Sequence, residues 1–137
     1  IKSRFGDVKI CTELGRFISG PAGLYVCRVL DKKFTAGNAF IVTNSGLHHF
    51  SAATGNFGQV LKKNHPIWPL HPNLDAPSQN ITISGRLCTP IDVFAKKITL
   101  PPLEIGDALV FFQAGAYGPT ASPGQFLSHP DCREILI

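Results

Sequence analysis

The sequence has no methionine, no long apolar run, no CxxC pair and few charged residues. It contains 137 residues, of which 44% are hydrophobic and 16% are charged. No apolar stretch approaches the roughly 20 residues of a membrane-spanning helix, and no basic-then-apolar leader opens the chain, so we expect no membrane partner. The hydrophobic share excludes intrinsic disorder, and the length suits one domain. A first residue other than Met indicates a piece of a longer protein.

The net positive charge is confined to the N-terminal third. Up to Lys33 the chain has seven basic and three acidic residues, and from Phe34 onward it has six of each. No basic stripe interleaved with aromatics follows the chain, so we expect no nucleic-acid partner. The four cysteines, at positions 11, 27, 88 and 132, show neither disulfide-scaffold density nor zinc-ligand spacing. We therefore expect reduced thiols, no metal site and a cytoplasmic location.

Short β-like runs separated by Gly and Pro dominate the chain. Apolar or alternating segments predict strands at 7–12, 23–30, 39–43, 80–84, 108–112 and 134–137, and short helices are predicted at 16–19 and 55–63. Residues 64–78 contain four of the 11 prolines, which excludes a central strand and favours a surface loop. This spacing of short strands predicts a mainly β fold, either a barrel or a sandwich.

Two Gly-containing turns directly follow strand-like segments and carry polar side chains. In Glu13-Leu14-Gly15-Arg16, a Gly permits close approach and an Arg offers a planar, charged fork, which suits a phosphate. In Gly115-Ala116-Tyr117-Gly118, small residues beside a phenol leave space for a ligand. An ordinary solvated turn is the alternative for the first, and a turn whose Tyr packs on the rim is the alternative for the second.

Two further patterns contain a thiol and a histidine pair. The segment GRLCTPID (residues 85–92) has Cys88 four residues before Asp92, an arrangement suited to a cleft, although a buried structural cysteine is the commoner outcome. Adjacent His48 and His49 face different ways on a helix or a strand, so we expect no shared metal. Their imidazoles can still donate hydrogen bonds or transfer protons.

Taken together and in this order, ELGR, GRLCTPID and GAYG resemble the C-terminal part of the fold-type III pyridoxal-phosphate decarboxylases. That family includes the diaminopimelate, ornithine and arginine decarboxylases, and the resemblance covers about residues 7–137. It implies a C-terminal β domain that follows a (β/α)8 barrel missing from this chain. Residues 1–18 would then contain the last barrel strand and the phosphate-binding turn, and residues 19–137 the β domain.

The resemblance also implies roles for individual residues. Glu13 matches the acid that pairs with the pyridinium nitrogen of pyridoxal 5'-phosphate, and Gly15 and Arg16 match the phosphate-binding pair. Cys88 matches the catalytic cysteine that enters the active site of the partner subunit and helps to protonate the substrate carbon. Tyr117 matches a tyrosine that approaches the phosphate, also from the partner, so a homodimer with shared active sites is implied. The Schiff-base lysine is not in this chain, which should therefore be inactive alone.

Departures from the family pattern bear on the substrate. Thr89 stands where relatives that act on diamino acids have an acid for the distal ammonium, and a hydroxyl cannot neutralise that charge. Asp92 matches a carboxylate of the same substrate loop. Ala52 and Asn56 stand where diaminopimelate enzymes have an Arg and a Tyr for the distal carboxylate. We therefore expect a substrate whose far end is masked, such as an aminoacyl group on an acyl carrier protein.

The segments GLHHFSAATGNFGQV and GAYGPTASPGQFLSHP resemble the branch of exopolysaccharide and antibiotic pathways, including the butirosin-type decarboxylase of carrier-bound glutamate. The basic N-terminal third would suit the acidic surface of such a carrier. Three alternatives stay open. The chain can belong to a diaminopimelate decarboxylase of lysine biosynthesis, to a catalytically inactive homologue that only binds partners, or to a β domain with an unrelated binding role.

Overall fold

The structure, a computed structural model, describes residues 4, 6–55 and 63–137. Within these residues lie two short α-helices, α1 (Gly15–Ser19) and α2 (Leu47–Phe50), and six strands: β1 (Tyr25–Thr35), β2 (Asn38–Thr43), β3 (Ile67–Pro69), β4 (Gln79–Ser84), β5 (Val93–Leu100) and β6 (Ala108–Phe111). Single 3-10 turns cover Gly20–Ala22, Ser51–Thr54, Pro119–Ala121 and Phe126–Ser128. In this part of the chain no helix combines the length and the apolar character that a bilayer crossing requires.

The six strands form one sheet in the order β3-β6-β1-β2-β4-β5. The β2–β4 pair is parallel, and every other neighbouring pair is antiparallel. The first half of β1 pairs with β6 and the second half with β2, and the register shifts between Val29 and Asp31 where the partner changes. A bulge of this kind bends a strand, which lets the sheet curve around its own core.

The two edges of the sheet approach each other through one side chain. Asn64, just before β3, donates from its amide to the Lys96 carbonyl in β5 at 2.9 Å, and the Lys96 N–H donates to Asn64 Oδ1 at 2.9 Å. These paired bonds satisfy part of the exposed edge of β5. The sheet is therefore nearly closed, and the predicted mainly β, barrel-like fold is confirmed.

The core fills the inside of this sheet with side chains from alternate strand positions. Phe111 is fully buried, with its ring centroid 4.9 Å from that of Phe94 and 6.5 Å from that of Phe50. Tilted and edge-on aromatic pairs at such distances stabilise a core beyond the area they bury. Helix α2 contributes Phe50 to this cluster, so the core fixes the position of the residues around α2.

Most of the predicted strands are present, with small shifts of their ends, but two are wrong. Residues 7–12 form no strand, and Val8 and Ile10 are 63% and 50% exposed. Residues 134–137 are also irregular, with Ile135 82% exposed. Apolar alternation predicts a strand only where a neighbouring strand supplies hydrogen bonds and a surface to cover it, and neither segment has one among the described residues.

One strand was missed, and one lies inside a predicted loop. Strand β5 has Lys96 and Lys97 at its centre, and Lys97 has a φ of 50°, so an irregularity interrupts the alternation that would have revealed it. Residues 64–78 are mainly loop, but β3 lies within them at an edge of the sheet, where proline is tolerated. The predicted helix at 55–63 lies almost wholly outside the described residues, and the predicted domain boundary at 18/19 falls within α1 and stays a prediction.

Candidate functional site

Helix α1 and the turn after β6 bring three predicted site residues together. The Arg16 guanidinium carbon lies 4.9 Å from the centroid of the Tyr117 ring, within the range of a cation–π contact. A Cβ atom added to Gly15 would be 3.9 Å from the Tyr117 hydroxyl, so the Gly15 backbone faces that oxygen with room to spare. We call Gly15, Arg16 and Tyr117 the Arg16 cluster.

Direct backbone contact between two segments creates the Arg16 cluster. The Gly115 N–H donates to the Gly20 carbonyl at 3.0 Å, and the Ala114 N–H donates to the Gly23 carbonyl at 2.9 Å. A Cβ on Gly115 would collide with the Ser19 carbonyl oxygen. Gly115 therefore makes room for the chain after α1. The sequence predicted that this small residue leaves space for a ligand, which is wrong for this position. The contact carries Tyr117, which has a φ of 56°, over α1.

The structure corrects the expectation that Tyr117 serves the partner subunit. Its ring lies against Arg16 of the same chain, so any phosphate bound by Arg16 would meet this tyrosine and not the partner's copy. Glu13 is exposed in the irregular segment before α1, and no hydrogen bond or ion pair of its side chain occurs among the described residues. Its predicted role therefore stays a prediction.

The second region is the cysteine loop, residues 85–92, which connects β4 to β5. A buried carboxylate fixes its backbone. Asp92 is 2% exposed; its Oδ1 accepts from the Leu47 N–H at 2.7 Å, and its Oδ2 accepts from the Leu87 N–H at 2.9 Å. Gly46 and Gly85 give the carboxylate its space, because a Cβ on Gly46 would lie 2.6 Å from Oδ2 and one on Gly85 would overlap it.

These contacts contradict the assignment of Asp92 to the substrate. Burial raises the pKa of Asp92, while the hydrogen bonds from Leu87 and Leu47 oppose that rise. A carboxylate enclosed by two backbone donors and two glycines has no surface to offer a substrate. Asp92 instead joins the cysteine loop to α2.

Cys88 and Thr89 occupy the outer side of the same loop. Cys88 is exposed, Thr89 is half-buried, and the Leu87 side chain between Arg86 and Cys88 is buried. No hydrogen bond or ring contact in the described part of the chain joins either residue to the Arg16 cluster. The predicted site residues thus divide into two separate groups. None of the four cysteines forms a disulfide bond in the structure.

The histidine pair does not diverge as expected. The His48 and His49 rings lie 3.8 Å apart between centroids, and the His129 ring lies 5.2 Å from that of His48. Helix α2 has only four residues, so core packing and not helical geometry sets the ring positions. No group of three or more His, Cys, Asp or Glu side chains suited to a metal ion occurs among the residues that the structure describes.

The two imidazoles differ in their environments. His49 donates from Nε2 to the Pro130 carbonyl at 2.7 Å, so in the neutral ring its Nδ1 accepts from the Ser45 hydroxyl at 3.0 Å. His48 is 1% exposed, and its Nδ1 has no hydrogen-bond partner in the described structure. Burial, with smaller contributions from His49, His129 and Arg86, lowers the pKa of His48 to about 4, so its ring is neutral at physiological pH.

A cavity of about 650 Å³ opens beside the Arg16 cluster. Tyr117, Tyr25 and His49 line it together with Cys132 and Arg133 from the C-terminal segment. Sequence analysis missed this role of Tyr25 and of residues 132–133. The one signal for it was the position of Tyr25 at the start of an apolar strand, which is also common for core tyrosines.

Known proteins with a similar sequence or structure support a single family. The chain is 35% identical over 137 residues to an L-glutamyl-[BtrI acyl-carrier protein] decarboxylase of Niallia circulans, covering 98% of this chain and 32% of that protein. It is 34% identical over 146 residues to a 2-[(L-alanin-3-ylcarbamoyl)methyl]-2-hydroxybutanedioate decarboxylase of Staphylococcus aureus, covering 100% of this chain and 35% of that protein. The chain therefore spans about a third of the length of these relatives.

Solved structures agree with these sequence relatives. A diaminopimelate decarboxylase of Helicobacter pylori, an I148L mutant complexed with L-lysine, superposes with a TM-score of 0.70 at 26% identity, over 85% of this chain and 27% of that one. Residues 17–115 match the family described as "Pyridoxal-dependent decarboxylase, C-terminal sheet domain". Because that match spans all six strands of the sheet, the chain belongs to the pyridoxal-dependent decarboxylases as their C-terminal sheet domain.

Proposed function

We propose that this chain completes a pyridoxal-phosphate-dependent amino-acid decarboxylase whose substrate lacks a free ammonium group at its far end. The observation that carries the proposal is the contact of Arg16 with Tyr117 beside Gly15. A guanidinium, a phenol and an unobstructed backbone N–H are donors suited to a phosphate. Within the described residues no ion pair neutralises Arg16, so its charge is available to an anion.

The Arg16 cluster would hold the phosphate of pyridoxal 5'-phosphate. When bound, this cofactor acts as an electron sink for the carbon from which CO2 departs. Arg16 and Tyr117 would fix the phosphate end and so orient the ring, and Glu13 would keep a proton on the ring nitrogen. The lysine that carries the cofactor belongs to the barrel domain, so the chain alone is inactive in this proposal.

Cys88 would act in a second copy of the protein. The thiol is exposed on a loop with a fixed backbone, and no hydrogen bond or ring contact of the described residues joins that loop to the Arg16 cluster. A symmetric homodimer would let each cysteine loop enter the site whose phosphate the other subunit binds. There the Cys88 Sγ would donate a proton to the substrate carbon after CO2 has left. The four unpaired thiols support a cytoplasmic location.

The substrate proposal rests on Thr89. Its half-buried hydroxyl cannot balance the charge of a distal ammonium. The one acid of the cysteine loop, Asp92, cannot do so either, because it is buried. Ala52 gives less support than we expected, since it is 3% exposed and in the core, and Asn56 lies outside the described residues. The two relatives above act, by their names, on an L-glutamyl group of an acyl-carrier protein and on an L-alanine joined through its carbon 3 to a hydroxybutanedioate.

Decarboxylation by the full-length protein tests this proposal. We expect CO2 release from L-glutamyl carrier thioester with a kcat/KM at least about tenfold above that for free diaminopimelate, since a lost ion pair costs about that factor. Turnover of diaminopimelate alone would instead support the diaminopimelate decarboxylase reading, which the likeness to the solved Helicobacter pylori enzyme favours.

A mixture of two inactive variants provides the control for the shared site. Arg16→Gln and Cys88→Ser proteins, combined and allowed to exchange subunits, should recover about a quarter of the wild-type rate, because half of the dimers are hybrids with one intact site. Absence of recovery, with exchange verified, would contradict the homodimer proposal.

A further inference from the structure

The surface of the cysteine loop has one charged side chain, and that side chain is Arg86. Of the eight residues of the loop, GRLCTPID, the other charged one is Asp92, which is buried and accepts two backbone hydrogen bonds. Arg86 is exposed, and within the described residues no ion pair or side-chain hydrogen bond involves it. The surface around the candidate catalytic thiol is therefore positive and has no compensating acid in its own loop.

The backbone holds Arg86 and Cys88 on the same side of the loop. Leu87 between them is 7% exposed, whereas both of its neighbours are exposed. The Arg86 N–H donates to the Ser45 carbonyl at 2.9 Å, and the Leu87 N–H donates to the Asp92 carboxylate at 2.9 Å. The Thr89 N–H also donates to the Leu87 carbonyl at 2.8 Å. These bonds fix the loop backbone, so the exposed side chains of Arg86 and Cys88 start from the same outer side of the loop, two positions apart.

The other titratable groups around Arg86 do not neutralise it. Burial lowers the pKa of His48, and the Arg86 charge makes a small contribution in the same direction. The His129 ring lies near His48, with 5.2 Å between the ring centroids. Asp92 is the carboxylate of the same loop, and its two oxygens are already engaged by Leu47 and Leu87.

We propose that Arg86 binds an anionic group, a carboxylate or a phosphate, on the part of the substrate remote from the reacting carbon. This inference rests on the proposed function and deepens it, because it replaces "no distal ammonium" with a stated ligand. Arg presents a fork of N–H donors that matches the oxygens of either anion, and the Thr89 hydroxyl two residues after Leu87 adds a further donor. A substrate with a distal ammonium would be repelled.

The experiment measures anion attraction at Cys88 directly, and it does not require the protein to be active. Iodoacetate, an anion, and iodoacetamide, its neutral analogue, both alkylate the thiolate sulfur with loss of iodide. The ratio of their rates at Cys88, followed by peptide mass spectrometry, cancels the thiolate fraction and leaves the effect of charge. We expect Arg86→Gln to lower the iodoacetate-to-iodoacetamide ratio about fivefold at low salt, while Lys33→Gln on β1 leaves it unchanged.

Competing anions identify the source of the group. Succinate that slows alkylation of wild-type Cys88 but not of the Arg86→Gln protein indicates a carboxylate on the substrate itself. The same result with inorganic phosphate indicates the phosphodiester of a carrier arm. In the full-length enzyme, Arg86→Gln should raise KM for an anion-bearing substrate about tenfold and leave kcat nearly unchanged, and Arg86→Lys should recover part of the loss.

An unchanged reagent ratio in Arg86→Gln, with no protection by either anion, would overturn the inference. Failure of the proposed function gives a different result. In that case the protein decarboxylates none of the substrates but still shows the Arg86-dependent reagent ratio and the protection by anions. This result would support the anion site and contradict the proposed decarboxylase function.

Discussion

In the cysteine loop, the backbone around Cys88 is fixed by a carboxylate that is 2% exposed, whereas in α1, which carries Arg16, no residue is buried. The loop is joined to α2 and through it to the core. Helix α1 has five residues, and its Phe17 and Ile18 are 80% and 73% exposed. An isolated helix this short is not stable in water, so it depends on contacts with other surfaces.

This difference indicates how each half of the site is built. The position of Cys88 is encoded within this chain, since the hydrogen bonds from Leu47 and Leu87 to Asp92 and from Arg86 to Ser45 join its loop to residues of the same chain. The position of Arg16 depends on the Tyr117 contact and on whatever covers the apolar side of α1. In our proposal the barrel domain provides that cover, so cofactor binding and domain packing would be coupled at α1, while the proton donor would be preformed.

The largest effect should follow from Asp92→Ala. The change leaves the N–H groups of Leu47 and Leu87 buried without acceptors, which costs about 3–5 kcal/mol of unfolding free energy. Urea denaturation of the 137-residue chain measures it. Asp92→Asn, which keeps one acceptor oxygen, should lose less, and the exposed Asp75→Ala should stay within about 0.5 kcal/mol of wild type. A loss below about 1 kcal/mol for Asp92→Ala would mean that the loop is not fixed by this carboxylate.

An intermediate effect should follow from pH, through the buried His48 next to the same loop. Its pKa is about 4 in the folded chain, below the ordinary 6.5, so the unfolded chain binds the proton more tightly. The stabilisation is fully present above pH 6.5 and is lost as the pH falls toward 4, by about 2–4 kcal/mol. The raised pKa of Asp92 has the opposite sign and offsets part of this loss.

The difference between wild type and His48→Gln isolates that contribution. Urea denaturation at several pH values should show a stability that falls less steeply with acidification in His48→Gln than in wild type. The exposed His71→Gln variant should follow the wild-type curve. If the unfolding free energy of wild type and of His48→Gln fell equally steeply with acidification, His48 would not be the group that titrates. The cysteine loop would then not differ from α1 through a buried histidine beside it.

Sequence patterns predicted the parts of this molecule that local chemistry determines. The alternation in β4 was sufficient because that strand has one buried face, and the apolar run in β6 was sufficient because three of its four residues in succession are buried. The motif around Arg16 and the loop around Cys88 were found because ELGR, GRLCTPID and GAYG occur together in the order of the family that they resemble. Strands were wrongly predicted at 7–12 and 134–137 because the sequence of a strand does not reveal whether a partner strand lies beside it.

The role of Asp92 was beyond the sequence for a similar reason. A carboxylate four residues after a cysteine has the same letters whether it faces a cleft or accepts two backbone N–H groups. Only the contact with Leu47, 45 positions away in the chain, distinguishes these cases. The two glycines that enclose it, Gly46 and Gly85, lie on different elements, so no local pattern links them either.

The smallest effect should follow from Arg16→Gln. Arg16 lies on a helix without buried residues, and its contact with the Tyr117 ring is worth about 0.5–1 kcal/mol. A double-mutant cycle with Tyr117→Leu, measured by urea denaturation of this chain, should therefore return a coupling energy in that range. In the full-length enzyme the same Arg16→Gln change should weaken pyridoxal phosphate binding by at least about tenfold, because a charge-assisted contact with the phosphate is lost.

A loss of unfolding free energy above about 2 kcal/mol for Arg16→Gln in the isolated chain would mean that α1 is fixed here as firmly as the cysteine loop. The contrast between a preformed proton donor and a phosphate site that needs the barrel would then fail.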